Sequence, residues 1–240
     1  MSLYDKILYL FTAPRCVHCG ERMEIDDVAL CKVCRAEFDD RIRRTCSVCA
    51  KPLYECSCTT KYLDAHYIHK HIKVYRYLNR DNLVTNNLIY SLKRDNRRDV
   101  LNLLSEELAS SIVCTLENPE AYVVTNIPRM RSSIVKYGID HAECLAKAVA
   151  RKIGAKYVKL LKSRAKQEQK HSGDREGRLK NTNMTVKEKT RAVDGKNVII
   201  IDDVVTTGAS MATAAMLLKS IGAKNIVAAS IAAAYKDEVF

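Results

Sequence analysis

Eight cysteines in four close pairs constrain the fold of this chain more than any other feature of its sequence. The pairs are Cys16 and Cys19, Cys31 and Cys34, Cys46 and Cys49, and Cys56 and Cys58. A short spacing lets both sulfurs of a pair face one ion, and two pairs complete a tetrahedral thiolate site. The eight cysteines therefore predict two structural zinc ions, each with a closed coordination sphere that leaves no position for a reactive water.

Other uses of these cysteines fit the pattern less well. Disulfides are disfavoured because nothing in the sequence directs the chain out of a reducing cytosol. An iron–sulfur cluster is an alternative, but the paired spacing favours zinc. Sequential grouping of the pairs is favoured over a crossed grouping. The two remaining cysteines, Cys114 and Cys144, lie in apolar helical patterns and are predicted to be buried small apolar residues.

Charge is distributed unevenly along the 240 residues. The chain has 40 Lys and Arg against 28 Asp and Glu, a net charge of +12 that favours anionic partners. Residues 1–68 contain 10 basic and 10 acidic side chains, whereas residues 151–191 contain 14 basic and 4 acidic ones. Eight thiolates and two zinc ions would bring the first segment to about −4, which argues against a nucleic-acid interface there. We therefore expect a double zinc-binding module at residues 1–62 and a second domain at residues 63–240.

Strands alternate with helices after the last cysteine pair. Predicted strands cover residues 67–78 (as one or two strands), 121–127, 156–161, 198–201 and 225–234, and predicted helices run through residues 88–92, 100–112, 140–153 and 209–221. This alternation predicts an α/β fold in which helices flank a mainly parallel sheet. Residues 163–191 have many charges and no sustained apolar period, which predicts a long loop.

The apolar run near the start of the sequence is short. It covers only residues 7–11, too few for a secretory signal or a membrane span. We therefore expect a soluble, cytoplasmic protein without membrane insertion.

A second motif lies where the apolar strand 198–201 ends. Two acids, Asp202 and Asp203, follow the strand, and a hydroxyl-rich turn leads into a helix. Ligands bind at the carboxyl ends of strands in such sheets, and the backbone N–H groups of a helix start bind phosphate. The predicted phosphate-binding residues are Thr206, Thr207, Gly208, Ala209 and Ser210. Because paired carboxylates suit vicinal hydroxyls, the motif predicts a site for a ribose 5-phosphate.

Simpler interpretations of this motif exist. An Asp pair after a strand is also typical of a Mg²⁺ site in a phosphate-accepting receiver domain, and a Thr-Thr-Gly turn can serve only as a helix cap. A Walker loop and a dinucleotide-binding Gly-x-Gly-x-x-Gly pattern are both missing from the sequence.

The acidic pair and the turn resemble the signature of type I phosphoribosyltransferases for 5-phosphoribosyl-1-pyrophosphate (PRPP). With cysteine pairs ahead of it, the chain resembles the ComF family, which is associated with competence for DNA uptake. Members typically carry Arg-Gly-Phe-Asn-Gln-Ala where this chain has residues 137–142, and here only Gly138 and Ala142 are retained. Tyr137 and His141 depart from the pattern, whereas Gln169, Arg178 and Asn181 match a later one.

This resemblance implies an activity and its residues. A phosphoribosyltransferase binds PRPP with Mg²⁺ and transfers ribose 5-phosphate to a nitrogenous acceptor as pyrophosphate leaves. The turn after Pro128 would face pyrophosphate, and the loop 163–191 would close as a lid. Candidate cations there are Arg129, Arg131 and Lys136 in the turn and Arg164, Arg175 and Arg178 in the loop, with Lys136, Arg164 and Arg178 as the catalytic candidates. The alternative is a non-catalytic accessory of DNA uptake, with single-stranded DNA or DNA-uptake proteins as partners.

Overall fold

A five-stranded parallel sheet forms the centre of the protein. The computed structural model describes residues 13–78, 83–129, 134–135, 138–163, 184–187 and 193–234. Its strands are β1 (Ile68–Arg76), β2 (Val123–Asn126), β3 (Lys156–Tyr157), β4 (Leu161–Ser163), β5 (Met184–Val186), β6 (Val198–Val205) and β7 (Ile226–Ala233). The sheet order is β1-β7-β6-β2-β3, every neighbouring pair being parallel, and β4 pairs antiparallel with β5.

Helices cover both faces of this sheet, which confirms the predicted α/β class. They are α1 (Lys32–Ile42), α2 (Lys61–Asp64), α3 (Val84–Arg94), α4 (Arg98–Thr115), α5 (His141–Lys152) and α6 (Ala209–Ser220), with 3₁₀ turns at Leu53–Glu55 and Pro119–Ala121. Apolar residues of α3, α4 and α5 pack on one face of the sheet, and those of α6 pack on the other. In the described part of the chain, no helix combines the length and apolar character needed to cross a membrane.

The continuous apolar run at the start of β6 follows from this two-layer packing. Ile199 and Ile201 enter the core beside α4 and α5, whereas Val198 and Ile200 enter the core beside α6. A central parallel strand covered on both faces needs apolar residues at every position, not at alternate ones. The carboxyl end of this strand, where its first polar side chains lie, is therefore fixed rigidly between two cores.

The N-terminal cysteine segment packs against the same core as the sheet. Its helix α1, which the sequence pattern did not predict, buries Cys34, Phe38 and Ile42 at a four-residue spacing. Phe38 meets the ring of Tyr75 on β1 edge to face, with centroids 6.1 Å apart. This contact ties α1 to the edge strand of the sheet.

Three details of the sequence-based prediction are wrong. Residues 156–161 are not one strand, because β3 joins the main sheet and β4 leaves it for the hairpin with β5. The predicted loop 163–191 is regular at β5, where Met184 packs into the core beside α6. Finally, Cys114 is exposed near the end of α4 and Cys144 is half-buried, so neither is a fully buried apolar residue.

Gly222 ends helix α6 and offers a sharp test of the packing around it. Its φ is +91°, and an added Cβ would overlap the Asp194 carboxylate and lie 3.3 Å from the Asp194 Cα. We expect Gly222→Ala to lower the free energy of unfolding by about 2 kcal/mol, because backbone strain and steric overlap add. Urea denaturation measures this change.

Gly154 provides the matched control for that substitution. It also follows a helix with a positive φ, +71°, but an added Cβ would make only an ordinary 3.6 Å contact with Glu120. Gly154→Ala should therefore cost about 1 kcal/mol from strain alone. Equal losses for the two variants would contradict the packing seen around Gly222.

Candidate functional site

The turn between β6 and α6 forms an open cradle at the carboxyl end of the sheet. Residues 204–211 and Asp202 line a cavity of about 40 Å³ there. Thr206, Thr207 and Ser210 are exposed, so a ligand can reach these residues from solvent. The Thr207 Oγ1 accepts a hydrogen bond from the N–H of Ala209 at 3.4 Å. The five residues predicted to bind phosphate therefore share one accessible turn.

Gly208 has a positive φ of +81° and packs closely on a neighbouring helix. An added Cβ would lie 2.9 Å from the Cδ2 of Leu63, which is fully buried on α2. Helix α2 begins shortly after the last cysteine pair, where the Thr60 Oγ1 caps it by accepting from the Leu63 N–H at 3.2 Å. The segment that follows the cysteines thus packs against Gly208 in the turn that forms the cradle.

The two predicted acids differ in their surroundings. Asp202 lines the cradle, and no cation of the described residues forms an ion pair with it. Burial and the charge of Asp203 raise the pKa of Asp202 well above its usual value, with smaller opposing effects of Lys93 and Arg129. The N–H of Asp203 donates to the Asp202 Oδ1 at 2.9 Å. This carboxylate is therefore costly to ionise until a ligand offsets its burial.

Asp203 is only 4% exposed and holds two cations. Its Oδ2 accepts from the Arg129 Nη2 at 2.5 Å and lies 3.2 Å from the Lys93 Nζ. The Asp203 Oδ1 also accepts from the N–H of Val204 at 2.7 Å. Successive residues of a strand point to opposite faces, which accounts for the different environments of the two acids. The geometry places Arg129, the predicted pyrophosphate contact, directly on Asp203.

His141 extends this cluster at the start of α5. It is 1% exposed, and its Nε2 lies 2.6 Å from the Oδ1 of Asn96. Among the described residues, nothing forms a hydrogen bond with its Nδ1. Burial and the nearby Arg129 lower the pKa of His141, which disfavours the charged form of its ring. Sequence reasoning missed Lys93 and Asn96 as parts of this site, and no local pattern marks them.

Several predicted site residues cannot be compared with this geometry. The catalytic candidates Lys136, Arg164 and Arg178 lie outside the described residues, as do Arg131 and Arg175. Their roles stay predictions.

The eight N-terminal cysteines form two groups of four sulfurs. Cys16, Cys19, Cys31 and Cys34 make one group, and Cys46, Cys49, Cys56 and Cys58 make the other. Within each group all the sulfurs lie within 4.8 Å of one another, in the sequential arrangement. The Cys19 and Cys31 sulfurs are 3.7 Å apart. A tetrahedral zinc site with 2.3 Å bonds requires roughly 3.8 Å between sulfurs. The donor set therefore fits zinc.

The two groups are built on repeated turns. The N–H of Gly20 donates to the carbonyl of Cys16, and the N–H of Ala50 donates to that of Cys46, each at 3.0 Å. Gly20 and Ala50 have φ values of +76° and +55°. A left-handed conformation is costly for alanine, so Ala50 adopts it because the turn that carries Cys46 and Cys49 requires it.

Lys73 on β1 lies beside the second cysteine group. It is 4% exposed, and its Nζ donates to the Cys58 carbonyl at 2.9 Å and the His71 carbonyl at 3.3 Å. The same Nζ lies 3.4 Å from the Cys56 sulfur. No carboxylate of the described residues pairs with this ammonium group. The cysteine sulfurs are thus the nearest groups able to balance its charge, and nothing in the sequence pattern indicated this contact.

Comparison with known proteins finds a family match in the C-terminal part of the chain. Residues 140–239 match the family described as the phosphoribosyl transferase domain. Ribose-phosphate pyrophosphokinase 2 of Archaeoglobus fulgidus is 39% identical over 54 residues, which are 22% of this chain and 20% of that protein. Ribose-phosphate pyrophosphokinase of Pyrococcus abyssi is 43% identical over 49 residues, which are 20% of this chain and 17% of that protein. The chain thus spans about a fifth of the length of these relatives.

Solved structures match more than half of this chain at low sequence identity. Glutamine PRPP amidotransferase from B. subtilis is 20% identical with a TM-score of 0.41, covering 59% of this chain and 30% of that one. Adenine phosphoribosyltransferase from Thermoanaerobacter pseudethanolicus is 16% identical with a TM-score of 0.39, covering 57% of this chain and 82% of that one. The C-terminal part of this chain, residues 140–239, is therefore similar to phosphoribosyl transferase domains.

Proposed function

We propose that this protein binds PRPP in the cradle after β6 and transfers its ribose 5-phosphate to a nitrogenous acceptor. The observation that carries the proposal is the juxtaposition of an exposed hydroxyl-rich turn with Asp202, a carboxylate that lacks a cation partner among the described residues. The turn supplies backbone N–H groups and hydroxyls for the 5-phosphate. Asp202 would accept hydrogen bonds from the ribose hydroxyls, which offset the cost of its burial.

Arg129 would contact the departing pyrophosphate from the end of β2. Its ion pair with Asp203 holds the guanidinium group at the carboxyl edge of the sheet. Asp203 would therefore act as a positioning residue for Arg129, and would have to exchange partners before it could bind a ribose hydroxyl. Lys136, Arg164 and Arg178 complete the proposed set of cations that stabilise the leaving group.

Mg²⁺ fits the same site by its chemistry. It prefers oxygen ligands and is commonly held by one or two carboxylates together with substrate phosphates. Asp202, whose raised pKa reflects uncompensated burial next to Asp203, is the residue that would hold it with PRPP. The ion would neutralise charge on the leaving pyrophosphate.

The N-terminal cysteines are proposed to hold two zinc ions that stabilise structure. Cysteine groups ahead of a phosphoribosyl transferase domain are the combination that resembles the ComF family, so we infer a ComF-like protein acting in the cytoplasm, in a competence or DNA-uptake context. The division of the chain at residue 62 belongs to the same proposal. The acceptor is left to experiment, because the described residues around the cradle indicate no single nucleobase pocket.

Asp202→Asn tests the assignment of the cradle. We expect calorimetry with PRPP and Mg²⁺ to show an affinity about tenfold or more below that of the wild type, because an amide loses the charge-assisted bonds to the ribose hydroxyls. Asp194→Asn removes a carboxylate from an exposed turn at the other end of β6 and serves as the matched control.

Transfer itself is measured as pyrophosphate release with a panel of nitrogenous acceptors. An unchanged PRPP affinity in Asp202→Asn would refute the role of this carboxylate. PRPP binding without pyrophosphate release from any acceptor, together with displacement of PRPP by single-stranded DNA, would favour the accessory function over the enzyme.

A further inference from the structure

A second cavity lies at the amino-terminal end of the sheet, away from the cradle. It has a volume of about 240 Å³ and is formed where β1 and β7 begin. Its lining includes two tyrosines and three lysines, namely Tyr67, Tyr122, Lys70, Lys219 and Lys224. Because β6 and β7 run parallel for eight residues each, roughly 20 Å of strand separates this cavity from the cradle. The two cavities are therefore distinct sites.

The backbone around this cavity is irregular at two positions. Tyr67 has a φ of +69°, a left-handed conformation that is unfavourable for a bulky side chain. Two residues later, the pairing of β1 with β7 shifts between Ile68 and Lys70, which leaves His69 as a bulge. The Tyr67 side chain is 37% exposed, so burial does not account for its strained backbone. Strained residues and bulges concentrate at binding sites because they aim side chains at a ligand.

The lysines give the cavity a positive charge. In the part of the chain that the structure describes, none of the three forms an ion pair with a carboxylate. The Lys219 Nζ lies 5.8 Å from the centroid of the Tyr67 ring and donates to the Lys224 carbonyl at 2.6 Å. The nearby Asp64 is occupied by His69, whose Nδ1 lies 2.6 Å from its Oδ1. An anion entering here would meet three ammonium groups whose charge is not already balanced.

The tyrosines give the same cavity flat apolar surface with hydroxyl groups. Tyr122 is half-buried directly before β2. Burial, with a smaller contribution from Glu117, raises the pKa of Tyr122, so its phenol stays protonated and is able to donate. Aromatic rings beside lysines are complementary to a ligand that joins a planar ring to an anionic group.

We propose that this cavity binds a nucleoside monophosphate, with the base against Tyr67 and Tyr122 and the phosphate among the lysines. The cavity is slightly smaller than the roughly 300 Å³ of the smallest sites for drug-sized ligands. The ring would therefore enter while the phosphate remains at the rim with Lys70 and Lys224, which are exposed. This second site does not depend on PRPP binding in the cradle.

Calorimetry on the full chain with AMP, adenosine and inorganic phosphate, each measured with the cradle saturated by PRPP and Mg²⁺, tests the proposal. AMP should bind about tenfold or more tightly than either of its parts, since both halves of the cavity contribute. The double substitution Lys219→Ala with Lys224→Ala should lower the affinity for AMP by about tenfold or more, because charge-assisted contacts are lost. Lys51→Ala with Lys61→Ala removes the same charge from exposed positions elsewhere and should leave the affinity unchanged.

Tyr67→Gly separates a ligand role from a structural one. Glycine relieves the left-handed strain but removes the ring, so AMP affinity should fall while the melting temperature does not. Tyr67→Phe keeps the ring and should retain the affinity. The proposal is overturned if phosphate binds as tightly as AMP, if the Lys219 and Lys224 variant binds AMP like the wild type, or if Tyr67→Gly lowers the melting temperature and leaves AMP affinity intact.

Discussion

Removal of zinc is expected to disorder the N-terminal cysteine segment and to lower the melting temperature of the whole protein by about 10 °C or more. Purified protein should contain about two zinc ions per chain. Without zinc, the four sulfurs of each group lose the ion that joins them. The segment that positions α1, and with it the contact of Phe38 with Tyr75, is then no longer held in place. Metal analysis and thermal unfolding before and after chelation measure both expectations. A metal-free protein with an unchanged melting temperature would contradict the structural role.

Lys73→Met tests whether the zinc ion of the second cysteine group is stabilised by the lysine on β1. A zinc ion with four thiolates carries two negative charges, and the buried Lys73 ammonium is placed to balance part of that charge at the second group. Methionine keeps the packing but removes the charge, so one zinc ion should be released to a chelator about tenfold or more faster. Lys32→Met, at an exposed position on α1 next to the first group, is the control and should change neither rate. Equal acceleration of both ions would argue against a specific role of Lys73.

Replacing Arg129 is expected to lower the free energy of unfolding strongly. Arg129→Met leaves Asp203, 4% exposed, with Lys93 as its one remaining cation partner among the described residues. Breaking a buried ion pair from one side is strongly destabilising, and because Lys93 remains we expect a loss of about 3 kcal/mol in the free energy of unfolding. Urea denaturation of the wild type and the variant measures it.

The double variant Arg129→Met with Asp203→Asn is the control for that experiment. An amide carries no charge, so the second substitution should recover part of the lost stability. If the double variant is less stable than Arg129→Met by the full cost of Asp203→Asn in the wild type, the two side chains are not coupled and the ion pair does not form.

Much of the fold follows from the sequence because the sheet is buried on both faces. The apolar run at the start of β6 and the short cysteine spacings are local signals. The first correctly predicts a buried strand, although the strand continues past residue 201 to Val205, and the second correctly predicts two groups of four sulfurs. Helix α1 is missed because its apolar positions, Cys34, Phe38 and Ile42, are sparse and one of them belongs to a cysteine pair. The division at residue 62 stays a prediction.

The electrostatic contacts of the site could not be predicted in the same way. Lys93 and Asp203 are 110 positions apart, and Lys73 meets Cys56 only because β1 folds back on the cysteine segment. Such pairs depend on tertiary packing and leave no periodic trace in the sequence. The contrast between Asp202 and Asp203 is missed for another reason. The apolar pattern predicts that the strand ends at residue 201, whereas both acids lie within β6, where neighbouring side chains point to opposite faces.

The contact of Leu63 with Gly208 connects the second cysteine group to the turn that forms the cradle. Leu63 follows the last cysteine by five positions and lies beneath the turn proposed to hold phosphate. A movement of the second cysteine group that shifts helix α2 would therefore reach Gly208 through Leu63. Linkage then requires reciprocity: whatever factor zinc contributes to ligand affinity, the ligand must return to zinc affinity. If zinc raises the affinity for the phosphorylated ligand, the bound ligand must raise the affinity for zinc by the same factor.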